Sequence, residues 1–118
     1  MIVTALLLMQ TAPIDWAALP ALPLRAPPAV TPAMSDFAGR EAKARRCPVP
    51  QGNSITVELA VLVDGDSVRT VVPRAIDCAT VEQYAAGLAA SYARANLLPR
   101  SGAGAQWYKT SLTFSWAK

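Results

Sequence analysis

The chain has 118 residues, is 53% hydrophobic and only 16% charged, and contains no histidine. A charged fraction below the usual value of about 25% argues against a disordered, acidic-tail or coiled-coil protein, and the length against more than one domain. The missing histidine removes the usual general base, pH switch and metal ligand, while the two cysteines are too few for a zinc site of thiolates alone and the eight carboxylates are scattered. An enzyme is therefore disfavoured and no cofactor is expected. A net charge of +3 is too diffuse to imply nucleic acid.

Residues 2–9 form a short apolar run, too short for a membrane span of about 20 residues. Its length suits the apolar region of a secretory signal over residues 1–12, although no Lys or Arg precedes it and Pro13 follows the small residue Ala12. A misassigned start and a short apolar arm are the other readings. Six of the ten prolines fall between Pro13 and Pro32. Proline fixes φ and removes a donor, so the expectation for residues 13–34 is an extended tether. At about 3.1 Å per residue it would reach roughly 60 Å.

The folded unit is expected from residue 35 onward. Ser35 can cap a short helix with Asp36 in its first turn and Arg45 and Arg46 in its last, stopped by Pro48. Ile55, Val57, Leu59, Val61 and Val63 alternate with Thr56, Glu58, Ala60 and Asp64, which is a strand signal. Asp64-Gly65-Asp66-Ser67 supplies a turn. With an even loop, Val68, Thr70, Val72 and Ile76 then continue the same apolar face. Pro73 makes this second run an edge or marks a bulge.

Thr80 and Gln83 have capping-box spacing. Val81, Tyr84, Ala85, Leu88, Tyr92 and Ala95 lie on one face of a helix of about 15 residues, ended by Asn96 and Pro99. After a Gly/Ala loop over residues 101–106, residues 107–116 alternate again. Tyr108, Leu112, Phe114 and Trp116 point one way and Lys109, Ser111, Thr113 and Ser115 the other. The helix between the second and third strands carries the chain back, so those two are parallel and the first is antiparallel to both. The predicted fold is α+β, topology αββαβ, with a three-stranded antiparallel sheet in the order 2-1-3 and both helices on its apolar face. The last strand becomes an edge with no proline to blunt it, and such an edge invites a partner strand.

This order of elements, with the text of residues 55–68, the helix end over 94–99, the Gly-containing loop and the final strand near the C-terminus, resembles the C-terminal domain of TonB-type energy transducers. The resemblance covers residues 47–116. It implies a periplasmic protein of the bacterial envelope, linked to transport, whose last strand pairs with a short peptide of an outer-membrane receptor. By position, that role falls to Trp107, Tyr108, Lys109, Thr110, Ser111, Leu112 and Thr113. Tyr108, Leu112, Phe114 and Trp116 also read as core, so binding rests on the backbone edge and on the outward side chains. With no 20-residue span and a short spacer, a stand-alone module is expected rather than a working transducer. The same edge also suits a small structural or regulatory protein that homodimerises. Strand addition by either route needs the outward amides of this strand to be unpaired.

Cys47 and Cys78 flank the hairpin, and antiparallel pairing brings them to one end of the sheet. A disulfide there would close a loop worth about 3.7 kcal/mol in the chain-entropy model and would suit an oxidising compartment. Two free thiols, with Cys78 as a small buried hydrophobe, is the alternative. Asp64, Asp66 and Asp77 read as turn residues, and no metal site is expected. Arg40, Lys43, Arg45 and Arg46 form a basic patch, read either as a solvated helix face or as a weak contact with a membrane surface. No phosphate loop or nucleophile motif is present.

Overall fold

The computed structural model describes residues 14–100, 102 and 104–117. The signal-like run at residues 1–12 lies outside the described residues. The fold is α+β, with two helices and a three-stranded antiparallel sheet. The helices are α1 (Pro32–Ala44) and α2 (Ala79–Ala93). The strands are β1 (Ser54–Asp64), β2 (Ser67–Pro73) and β3 (Ala105–Ser115), in the order β2-β1-β3.

Helix α1 starts three residues before the expected cap. Thr31 is the N-cap, its Oγ1 accepting from the Met34 N–H at 3.2 Å, and Pro32 occupies the first turn, where its missing donor costs nothing. Ser35 is instead buried inside the helix. At the other end, Arg46 adopts φ 54°, and its N–H and that of Cys47 donate to Lys43 O and Ala42 O. This Schellman closure turns the chain sharply and delivers Cys47 towards the sheet.

The expected Thr80–Gln83 capping box is replaced by a different device. Helix α2 has Cys78 as its N-cap without a side-chain cap bond. Glu82 Oε2 reaches back to accept from the N–H groups of Ile76 and Cys78 at 2.9 and 3.0 Å. Cys47 and Cys78 form a disulfide with a Cα–Cα distance of 5.2 Å. It joins the end of α1 to the start of α2.

Strand β1 is the centre of the sheet. Ile55, Val57, Leu59, Val61 and Val63 are buried beneath the helices, and β3 pairs with β1 along its whole length without a register break. Phe114, opposite Ile55, and Leu112, opposite Val57, extend this layer.

Strand β2 departs from the expected alternation. A bulge between Leu62 and Val63 sets Val63 opposite Val68 but Leu62 opposite Thr70, so Arg69 is extra. Parity flips there. Val71, opposite Val61, takes the core position, while Thr70 and Val72 turn to the helix-free face. Pro73 ends an edge strand, where its missing N–H breaks no ladder.

The buried face of α2 is also rotated from the expected stripe. Val81, Ala85, Ala86, Ala89 and Ala93 are buried, while Ala95 is exposed. Small side chains let the helix lie close to the sheet, and the larger residues move to the flanks. Tyr84 fills the seam between the helices, its ring centroid 4.6 Å from Phe37 and 5.8 Å from Phe114.

The main core, around Leu59 and Phe114, lies under both helices. A second cluster contains Leu22, Val61, Val63, Ala93 and Tyr108. Leu22 belongs to the segment expected to be a tether. Residues 14–31 are not a free spacer; they are packed onto the domain.

Candidate functional site

The outer edge of β3 is the site that the sequence singles out, and its geometry follows from the pleat. Side chains at Tyr108, Leu112 and Phe114 are buried toward the helices. Lys109, Ser111, Thr113 and Ser115 therefore share the helix-free face. Of the seven residues assigned to partner contact, Tyr108 and Leu112 are core, Trp107, Lys109 and Thr110 are half-buried, and Ser111 and Thr113 are exposed. Only the backbone of the two core residues lies near a partner strand.

Backbone polarity alternates in the same way. Lys109 uses both its N–H and its C=O outward, toward Pro20 O and from Leu22 N, each at 2.8 Å. With no register break in β3, Ser111, Thr113 and Ser115 point their N–H and C=O groups to the same side.

The expectation of an open edge along the whole strand is thus corrected at two points. At Lys109 the edge is occupied by residues 20–22, which form a parallel bridge centred on Ala21. At Ser115 the N–H donates to the buried Ser35 Oγ at 3.1 Å. Between these points, the N–H groups of Ser111 and Thr113 have no partner among the described residues. The open stretch is short, with a capped position on each side.

The occupying segment runs as a strap around the domain. Trp16, in a short 3-10 turn (Trp16–Ala18), stacks with Arg74, whose guanidinium carbon is 5.5 Å from the ring centroid. Arg74 in turn donates to Glu58 Oε2 at 2.6 Å on the helix-free face. The chain then crosses the β3 edge, buries Leu22 against Val61 and Tyr108, and sets Leu24 beside Leu97. Pro23 O accepts from Leu98 N, and Arg25 N donates to Asn96 O at 2.7 Å. The Asn96 side chain both accepts from and donates to Ala26, and the Tyr92 hydroxyl donates to Pro27 O. Prolines do not prevent this docking, because one bridge and a series of single bonds need few strap donors.

Beside the strap, a groove of about 830 Å³ lies along Lys109, Thr110 and Ser111 of β3. Its walls include Leu22, Leu24 and Pro28 of the strap and Thr56, Glu58, Lys109 and Ser111 of the sheet.

Further residues that sequence reading passed over support this end of the sheet. Arg100 donates to Gly65 O at 2.8 and 3.0 Å, to Gly104 O at 3.0 Å and to the Tyr108 hydroxyl at 3.1 Å. It ties the β1–β2 turn to the start of β3. Only the Leu22 and Leu24 pair, alternating within the proline stretch, hints in sequence at the strap. Nothing local marks Arg100.

Asp64 pairs with Arg69 at 3.0 Å, and Asp66 accepts from Ser67. Among the described residues, no group of three or more Cys, Asp or Glu side chains is placed to hold a metal ion. Arg45 pairs with Glu41 at 3.6 Å, whereas Arg40, Lys43 and Arg46 line a groove of about 600 Å³ beside Trp116. No helix of the described residues is long and apolar enough to cross a membrane. No family model, curated protein or solved structure matches this chain.

Proposed function

We propose that this chain is a non-enzymatic protein-binding module of the bacterial envelope, TonB-C-like in design, that takes an extended partner peptide by strand addition at the outer edge of β3. The observation that carries the reading is the pair of outward N–H groups at Ser111 and Thr113, which have no partner among the described residues, on an edge where Lys109 already makes both bonds of a strand bridge with an extended segment. Ser111 also lines a groove beside that edge. Main-chain bonds of this kind supply affinity, and side-chain pockets supply selectivity.

The Cys47–Cys78 disulfide favours an oxidising compartment such as the periplasm. The partner class is an outer-membrane receptor peptide, as the resemblance to TonB-type transducers implies. Arg40, Lys43 and Arg46 add a basic face for weak contact with an anionic membrane surface.

A photoreactive side chain placed at Ser111 of the full chain in its native host tests the reading. The expected product is a cross-link to an extended segment of another protein, lost when Thr113→Pro removes an outward N–H. The same group at Arg69, on the β2 side, should give none. Equal yields from both positions would overturn strand addition at β3. A product of twice the chain mass would point instead to homodimerisation through this edge.

A further inference from the structure

We infer that residues 20–22 are an exchangeable internal ligand of the β3 edge, displaced by an incoming strand while residues 25–27 stay clamped to the end of α2. This rests on the strand-addition reading above and adds a partner chemistry and a control to it.

The first observation is that the strap holds the edge by a single bridge. Leu22 N and Pro20 O bond to Lys109, but Leu22 O and Leu24 N, the next strap groups to face β3 in a parallel register, make no bond to Ser111. The strap therefore leaves the edge before Ser111 and Thr113. A strand that stayed on the edge could bond at Lys109, Ser111 and Thr113 and would outnumber the strap's contacts there.

The second observation is the place of the most numerous anchors. Arg25 N bonds to Asn96 O, Asn96 makes two bonds to Ala26, and Tyr92 bonds to Pro27 O. These lie beyond the bridge, so residues 20–24 can peel off the sheet without freeing the chain from α2. The groove lies where a strand continuing the strap's path past Leu22 would run.

The strap also states what the partner must look like. It runs parallel to β3 at Lys109. Leu22 is 8% exposed and packs with Val61, Ala93 and Tyr108. The displacing segment is thus extended, parallel to β3, free of proline at the alternate positions whose N–H groups face β3, and carries one large apolar side chain to refill the Leu22 site.

The test uses the full chain and a fluorescent synthetic peptide of residues 18–26 carrying the change P23V. Leu22→Ala should bind this peptide at least about tenfold more tightly than wild type, because it raises the fraction of open edge. Thr113→Pro should weaken binding in both backgrounds. Equal affinity of wild type and Leu22→Ala, still abolished by Thr113→Pro, would overturn the exchange and leave strand addition standing. Binding by neither protein, with the Lys109 amide exchanging faster in Leu22→Ala, would overturn strand addition itself.

If Leu22→Ala fails to fold, hydrogen exchange in the wild type decides. The Lys109 amide should exchange at least about a hundredfold faster than the Tyr108 amide, which faces β1, because local opening is cheaper than global unfolding. Equal protection of the two amides would show a permanent structural cap and overturn the proposal.

Discussion

The indole of Trp116 lies across Gly39 so closely that a β-carbon there would stand 2.6 Å from its Cδ2 atom and 2.7 Å from Cγ. The ring atoms concerned are the inner ones, which cannot swing clear without moving the end of β3. This contact docks α1 onto the sheet and holds the Ser35 hydroxyl at the N–H of Ser115. Gly39→Ala would gain about 1 kcal/mol of helix propensity, but overpacking costs about 1–3 kcal/mol. The variant should be less stable than wild type in urea unfolding. In a Trp116→Leu background the same change should be neutral or stabilising, and that sign reversal isolates the contact.

The disulfide joins two helix ends that the sheet alone would hold loosely. Its sequence separation of 31 sets the size of the loop it closes. Replacing both Cys47 and Cys78 by Ala should lower unfolding free energy by about 3–4 kcal/mol in the chain-entropy model. The check is the urea midpoint, compared with that of the wild type in reductant, which should fall to the same value.

Glu82 replaces the side-chain cap that Cys78 cannot provide. Glu82→Ala leaves the N–H groups of Ile76 and Cys78 without their acceptor, and should cost about 1–2 kcal/mol. Glu82→Gln keeps a carbonyl oxygen in reach and should retain more than half of that stability. Thermal unfolding of the two variants separates the missing acceptor from lost charge.

Arg100 is the only side chain among the described residues that bonds both Gly65 and Gly104. Arg100→Ala should cost about 1 kcal/mol, and Arg100→Lys should recover little, since an ammonium lacks the planar fork that spans these acceptors. Hydrogen exchange should quicken in the β1–β2 turn before any other part of the hairpin.

Proline scanning along β3 should read the direction of each amide. Thr113→Pro removes an outward N–H and should leave the fold intact. Leu112→Pro removes a bond to β1 and should prevent folding, as proline does in central ladders. Lys109→Pro lies between: the sheet should survive while the strap's bond to Pro20 is lost. Circular dichroism and two-dimensional NMR spectra would distinguish the three.

The fold was legible because its signals are local. Alternation in β1 and β3, turn chemistry at Asp64 and Gly65, and a helical run between the last two strands suffice for the order β2-β1-β3. The errors have equally physical causes. One extra residue at Arg69 reversed the faces of Thr70, Val71 and Val72, and a bulge leaves no mark in a run of valines. The buried side of α2 moved to alanines because close approach to the sheet matters more there than side-chain size. The site was half legible. Residues of β3 announce an edge, but whether its amides are free depends on residues about 90 positions earlier in the chain.

The sequence by itself determined a small α+β unit without histidine, two cysteines at one end of a hairpin, and a last strand exposed as an edge. Periodicity, composition and spacing are properties of neighbouring residues, so they survive without the fold. Tertiary structure alone decided that the proline-rich stretch is a strap. Leu22 finds a buried place against Val61, Ala93 and Tyr108, and Lys109 supplies the backbone partners that prolines cannot supply to one another. Docking energy of that kind exists only once β3 and α2 are assembled, and it converts an expected spacer into the occupant of the edge.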